Sequence, residues 1–564
     1  MELSKLIRKY ALQNAVSFSG KANPGAVIGK VLGEKPDLKE KIKDIAKEVQ
    51  AVVKEVNALP VKKQTEELKK LAPKLLEKKK VIPRKELPDL DGAKPGKVVM
   101  RFEPSPSGPL HVGHAYTLGL NSELCRKYKG KLILRIADTN PENITQPAYE
   151  MIPQDAEWVT KGNVFETFIQ SDRMETYYQH AKELLERGHA YVCTCTPEAF
   201  KDYMAKQTPC PCRDLKNKEH LHRWSKMLKE WKEGDGVVRI KTNLDDRNPA
   251  LRDWPALRIK EADHLRQGKK YRVWPLLNFA VAIDDHEMGI THTIRAKEHM
   301  DNEKRQRFIY DYMGWKLPQH LYIGRINFTG MRVSASETRR LIEKGEYTGW
   351  DDIRIPFLEA LRRRGYQPEA FIKYALDVGV SQTDKTVSRE EFFKTLDAFN
   401  RQAIDSSTYR YFFINKPQEI HIEKAPSQKV ELDLHPDSEK GGREFHTSEW
   451  FYVDKEDFKR FKDGKLYRLM DCLNFVKKKG KFAFDSNEYS NFKNSGDFIL
   501  HWLPKEADLA TVEVKMPDGT AHSGLGEPLL KTLKEGTVVQ FERFGFCRLD
   551  RKEPDKLVFW YAHK

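Results

Sequence analysis

The sequence predicts a multidomain α/β protein built around an open parallel sheet, with a helical region before it and a β-rich region after it. Three observations predict this. A short apolar run, Val98 to Met100, leads through a Pro/Ser/Gly-rich loop into a segment that reads as a helix up to Tyr128. Alternation of strand and helix then continues to about residue 345, with Lys131–Ile136 as a second buried-strand candidate. After about residue 410 the pattern changes to short β runs, His446–Val453 and Thr537–Phe541 among them, separated by Gly, Asp and Pro turns as in small barrels. A chain of 564 residues is also too long for a single core.

In chain order, residues 1–95 read as helical and basic. Ile42, Ile45, Val49, Val52, Val53 and Val56 recur at helical spacing. Lys62-Lys63, Lys69-Lys70 and Lys78-Lys79-Lys80 form a positive band, which serves a polyanion or is simply a solvated helix face. Gly25 to Val31 mimics a P-loop, but the glycine spacing is one short and Val31 supplies no hydroxyl. Pro83, Pro88 and Pro95 mark a linker. Residues 96–190 form the first half of the α/β core, and 191–265 a polar insertion holding four of the seven cysteines. Residues 266–345 form the second half, where Phe279–Ile283 leads into Asp284-Asp285-His286. Residues 346–408 are helical, including Leu358–Gly365, and 409–564 are β-rich.

Composition narrows the function classes. A net charge of +16 favours a polyanionic partner without identifying one. The charged fraction, 32% and rich in Lys and Glu, is of the kind found in heat-adapted proteins. No apolar run approaches a membrane span, and the N-terminal residues lack a signal-peptide core. An odd cysteine count without a secretory signal points to a reducing, cytoplasmic setting.

The chemistry concentrates in Arg101 to His114, with two histidines and a glycine at a strand-to-helix turn. In open α/β sheets such turns bind phosphate-bearing ligands. Gly113 leaves room for a planar base to approach the backbone. His111 and His114 share one helix face, from which ring N–H groups can meet charge developing on a phosphate. Asp138 and Thr139, at the carboxyl end of the Lys131–Ile136 strand, are further site candidates.

The H-V-G-H turn with its P-S-P-S-G prefix resembles the HIGH signature of class I aminoacyl-tRNA synthetases, in the glutamyl/glutaminyl branch. Met331-Arg332-Val333-Ser334-Ala335-Ser336 resembles the second, KMSKS signature. Leu361 to Tyr366 continue the likeness to that branch, and the N-terminal helical region with Asn23-Pro24-Gly25 and the β-rich end resemble the archaeal/eukaryotic type, so that the resemblance covers nearly the whole chain. The resemblance implies a Rossmann-type catalytic domain with an acceptor-stem-binding insertion, a stem-contacting helical region and C-terminal anticodon-binding β-barrels. It implies activation of glutamate by ATP and its transfer to the 3′ end of tRNA(Glu), with tRNA(Gln) as a further candidate acceptor. By the same resemblance His111, His114, Arg332, Ser334 and Ser336 are catalytic. Pro109, Gly113 and Val333 join them around ATP, which brings Mg²⁺. Arg101, Ser105, Ser107, Asp138, Asn278 and Arg295 would hold the amino acid. Arg295 decides for glutamate, because a guanidinium pairs with a carboxylate and the glutaminyl enzymes have an uncharged residue there. A glutamine–tRNA ligase and a non-catalytic tRNA-binding paralogue are the alternatives. A monomer is expected, alone or in a larger translation complex.

Some positions depart from the pattern. Arg332 and Ala335 replace the two signature lysines, with Arg339 or Arg340 as candidate substitutes near the pyrophosphate. Ala137 and Leu277 stand where an acidic residue and a tyrosine are usual, and Asp138, Asn278 or Asp284 would compensate. Cys193, Cys195, Cys210 and Cys212 form two C-x-C pairs that suit structural Zn²⁺, as in the insertion of some glutamyl enzymes. Trp450, Phe451 and Tyr452 are either barrel core or stacking partners for bases.

Overall fold

The computed structural model describes residues 2–17, 20–35, 42–72, 86–437 and 439–564. Lys78 to Lys80 and Pro83 lie outside the described residues. The chain divides into two compact units, Met1–Glu86 and Leu87–Lys564. The division precedes the boundary drawn at 95, because Leu90 is buried in the catalytic core.

The first unit contains helices Glu2–Ser17, Pro24–Glu34, Ile42–Ala58 and Val61–Leu71. Ile45, Val49, Val52, Val53 and Val56 are buried together with Ile7 and Leu12, whereas Ile42, on the same predicted stripe, is exposed. The P-loop mimic lies inside the second helix. Asn23 caps that helix through the Gly25 and Ala26 N–H groups, and Pro24 opens it.

In the second unit, strands Val99–Phe102, Lys131–Ile136 and Val164–Ile169 pair in parallel in that order. Strands His292–Ala296 and Gln319–Ile323 form a second parallel pair. The two halves meet where Thr291 N–H donates to Val99 O (2.9 Å) and Val99 N–H donates to the Thr291 hydroxyl oxygen (2.9 Å). Strand order therefore reverses between the Val99 and His292 strands. A reversal of this kind opens a crevice at the carboxyl ends of the strands. Phe279–Ile283 lies within helix Leu277–Glu287, buried along most of its length.

The insertion is a four-stranded antiparallel sheet of Ala190–Cys193, Val237–Ile240, Pro255–Ile259 and Val273–Pro275. Its last strand runs past the boundary drawn at 265. The β-rich region holds two seven-stranded sheets. In one of them the edge strands, Arg410–Tyr411 and Phe413–Asn415, are separated only by Phe412. Among the described residues no helix is long and apolar enough to cross a membrane.

Candidate active site

His111 is the N-cap of helix Val112–Lys127, and His114 completes a reciprocal capping box. His111 Nδ1 accepts the Gly113 N–H at 3.1 Å, and His114 Nδ1 accepts the His111 N–H at 3.3 Å. The rings stack with centroids 3.8 Å apart. Burial pushes both imidazoles down, His114 to about 4, and the neighbouring ring lowers His111 further. Both rings are therefore neutral at pH 7. With each Nδ1 accepting, the proton sits on Nε2 and that N–H is left to donate.

The turn is pinned from several sides. The Asp155 carboxylate accepts the Leu110 N–H at 3.1 Å. Val112 N–H donates to Pro356 O (3.2 Å), Leu358 N–H donates to Leu110 O (2.9 Å), and Phe357 meets the His111 ring edge-on. A Cβ on Gly113 would lie 3.0 Å from the His111 ring, so the glycine also makes room for that ring.

The second signature is placed differently. Ser334 caps helix Ala335–Glu343 by accepting the Glu337 N–H, and its hydroxyl lies 3.3 Å from that of Ser336. Arg332 is 60% exposed and pairs with Glu337 at 3.2 Å. Met331 and Val333 pack on the catalytic core. Ala335 packs with Trp350 beside Gly108, where an added Cβ would come within 3.0 Å of both. Arg339 is half-buried and Arg340 exposed.

A buried charge cluster gathers around Asp285. Asp285 on helix Leu277–Glu287 meets Arg135 at 2.7 Å, Arg101 at 3.2 Å and Arg295 at 3.4 Å. Arg135 also meets Glu103 at 2.9 Å and Asp284 at 3.8 Å, and Arg173 meets Asp284 at 2.7 Å. Burial alone would raise the Asp285 carboxyl, but the three arginines hold it well below the usual carboxylate range. Arg295 is shifted down, first by burial and then by Arg101. The linked cluster has four guanidiniums and three carboxylates, leaving one surplus positive charge.

Arg295 donates through Nε to Thr293 (3.3 Å), through NH1 to Gln306 (2.7 Å) and through NH2 to Asp285 (3.4 Å). Three of its five N–H groups are thus committed to protein atoms among the described residues. Asn278 hydrogen-bonds Gln306 and Asn302. Ser105 is exposed, Ser107 half-buried and Pro109 buried. Asp138 is fully buried, and its carboxylate accepts from the Tyr149 hydroxyl and from the N–H and hydroxyl of Ser171, each at 2.7 Å. Asp284 is closed in the same way by Gln170, Arg173 and Tyr177, so neither acid is open to a substrate amine. Arg135, Asp155 and Gln306 adjoin these groups without any motif to announce them, although Glu103 lies within the Arg101–His114 stretch and Asp285 could be read from its place after the Phe279–Ile283 run.

Cys193, Cys195, Cys210 and Cys212 converge with all Sγ atoms within 4.8 Å of one another. Cys193–Cys210 and Cys195–Cys212 are 4.0 and 3.9 Å apart, so these are free thiols and not disulfides. Zinc–sulfur bonds of ~2.3 Å imply tetrahedral edges of about 3.8 Å, so the group fits a tetrahedral ion. Cys210, hydrogen-bonded by Cys193, is pulled down to about 5 while its partner is pushed up. Thr194 and Arg223 hold Cys212 down against its burial.

Neutral imidazole donors at a strand-to-helix turn, a reversal of strand order and a buried guanidinium cluster are the features expected of an enzyme that activates an acid with a nucleotide. The profile of tRNA synthetases class I (E and Q), catalytic domain, matches residues 97–406, and the anti-codon binding domains of the same class match 408–490 and 473–550. The chain belongs to this family. A glutamate–tRNA ligase of Pyrococcus abyssi is 46% identical over 582 residues, covering 100% of both chains. Those of Pyrococcus furiosus and Methanothermobacter thermautotrophicus are 45% and 43% identical, covering 100% and 99% of both chains.

Proposed function

We propose that the chain is a glutamate–tRNA ligase in which Arg295 and Arg101 bind the substrate carboxylates and His111 and His114 stabilise the reacting phosphates. The observation that carries the proposal is the surplus guanidinium charge in a buried cluster. An uncompensated buried charge is costly, and an entering carboxylate removes that cost. A neutral amide would not, which sets glutamate above glutamine.

Glutamate's α-carboxylate oxygen attacks the α-phosphorus of ATP and pyrophosphate leaves. The ribose hydroxyl at the tRNA 3′ end then attacks the acyl carbon, and AMP leaves. No covalent enzyme intermediate is needed, so the protein positions the groups and stabilises charge. The Nε2–H groups of His111 and His114 are fixed before the reaction and donate to phosphate oxygens without reorganising. Mg²⁺ arrives with ATP and offsets phosphate charge. Ser334 holds the start of helix Ala335–Glu343, and Arg332 supplies the cation that a lysine supplies elsewhere. The insertion, the helices after 350 and the β-rich region are the tRNA-facing parts. Phe451 is core, Tyr452 is half-buried, and Trp450 is exposed with His421 stacked on its ring and Lys505 over it, so Trp450 and Tyr452 stay the stacking candidates.

The four cysteines would hold Zn²⁺, fixing the end of strand Ala190–Cys193 to the 210–213 turn. Metal analysis of purified protein should give one zinc per chain, and none would refute the site. ATP–pyrophosphate exchange with tRNA present tests the activity: exchange with glutamate is expected, and exchange with glutamine alone, or with neither, overturns the assignment.

A further inference from the structure

The acidic specificity assigned to Arg295 depends on how Arg295 is held. Its neighbour Gln306, on helix Met300–Met313, is 3% exposed. A guanidinium only donates, so Gln306 must turn its oxygen to Arg295 NH1, at 2.7 Å. Its NH2 group then points to Asn278 Oδ1 at 3.1 Å. That fixes Asn278 in turn, whose NH2 group donates to Asn302 Oδ1 at 3.3 Å. The same oxygen accepts from Arg305 at 3.0 Å, and the Asn302 NH2 group faces His299 Nδ1 at 3.1 Å. Every amide in the chain has one allowed orientation, set by the donor-only groups at its two ends.

The chain is neutral throughout. A buried arginine is ordinarily matched by a carboxylate, and the position that Gln306 occupies is where a carboxylate would complete the match. A glutamate side chain there has the same length and the same oxygen position. It would turn the cluster from four guanidiniums and three carboxylates into four and four.

Resting on the glutamate reading above, we propose that Gln306 is a specificity-positioning residue. It fixes the fork of Arg295 through a neutral acceptor, and by remaining uncharged leaves the cluster's surplus positive charge to the substrate's side-chain carboxylate. Asn278 and Asn302 hold Gln306 in register. The Asn278 amide is thus a support of the amino-acid pocket, acting through Gln306.

The test is tRNA-dependent ATP–pyrophosphate exchange with glutamate and with glutamine, on the full chain. Wild type comes first: preference for glutamine would overturn the glutamate reading itself, independently of Gln306. Given glutamate preference, Gln306→Glu should raise KM for glutamate about 10- to 100-fold, the scale of one hydrogen bond to a charged group. KM for ATP should change less than twofold, and the glutamine-to-glutamate ratio of kcat/KM should rise. Gln306→Leu loses the acceptor but keeps the surplus charge, so it should raise KM for glutamate while preserving preference for glutamate. An unchanged glutamate KM in Gln306→Glu, or equal loss of preference in both variants, overturns the proposal. Should Gln306→Glu fail to fold, Asn278→Asp puts an acceptor where the chain requires a donor. A severalfold rise in glutamate KM at constant ATP KM is then expected, and no rise overturns the proposal.

Discussion

The two signature segments of this enzyme are built on opposite plans. The first, around His111, is held by a capping box, by the Asp155 carboxylate, by two backbone bonds to the 356–358 segment and by the edge of Phe357. The second, 331–336, has an exposed arginine, one serine cap and apolar packing of Met331, Val333 and Ala335. A donor that must meet a transition state is most effective when it cannot move. A segment that grips and releases a triphosphate needs few bonds to break, so light anchoring suits it. On the proposed reading, the first segment would carry more of the charge stabilisation at the α-phosphate, and the second more of the binding.

The largest effect expected from this contrast is at the histidines. His111→Ala or His114→Ala should lower kcat of exchange about 10²- to 10³-fold, the cost of losing one preorganised donor. A change below tenfold in both would break the comparison. Next is the cap: Ser334→Ala should cost about 0.5–2 kcal/mol of local helix stability and raise KM for ATP more than it lowers kcat. An effect on kcat as large as that of His114→Ala would show that the two segments are not different in kind.

The pH dependences sharpen the same contrast. If the neutral rings are the working forms, as proposed, then with burial lowering His114 to about 4 the histidines should leave the exchange rate flat from pH 8 to about 5. A titration near 6.5 that His114→Ala abolishes would contradict this. Burial raises Asp155 to about 7, so between its unfolded value and pH 7 the folded state keeps a proton that the unfolded state loses. The contribution of Asp155 to stability is full at low pH and falls as pH rises through that window. Asp155→Asn, which can still accept the Leu110 N–H, should flatten that slope in thermal melts taken from pH 5 to 8. The smallest effect is expected at Ala335. Ala335→Lys should change exchange less than fivefold, because the position faces Gly108 and Trp350 as packing, and a cost of about 1 kcal/mol is ordinary for such a site.

The signatures were legible because they are local. A histidine pair three apart, a glycine between them and an apolar run before them declare a turn chemistry within the seventeen residues from Val98 to His114. The strand Lys131–Ile136 was readable for the same reason, as an apolar run with its own boundaries. For Asp138, position at the end of a strand did not tell which way the carboxylate faces, and only the structure places Tyr149 and Ser171 against it. Ile42 kept the helical period yet stands exposed, since periodicity gives a stripe and packing decides how much of it is covered.

By itself the sequence determined the class of chemistry: a phosphate turn with ring N–H donors available, an arginine for a carboxylate and four cysteines at ligand-like spacing. Only the tertiary structure decided how these act. The surplus charge arises from Arg101, Arg135, Arg173 and Arg295 meeting Glu103, Asp284 and Asp285 from distant parts of the chain. The donating nitrogens of the histidines are fixed by which backbone N–H each ring accepts, and the orientation of Gln306 by a relay across two helices. Charge balance and hydrogen-bond direction are properties of groups brought together in space, and no residue carries them alone.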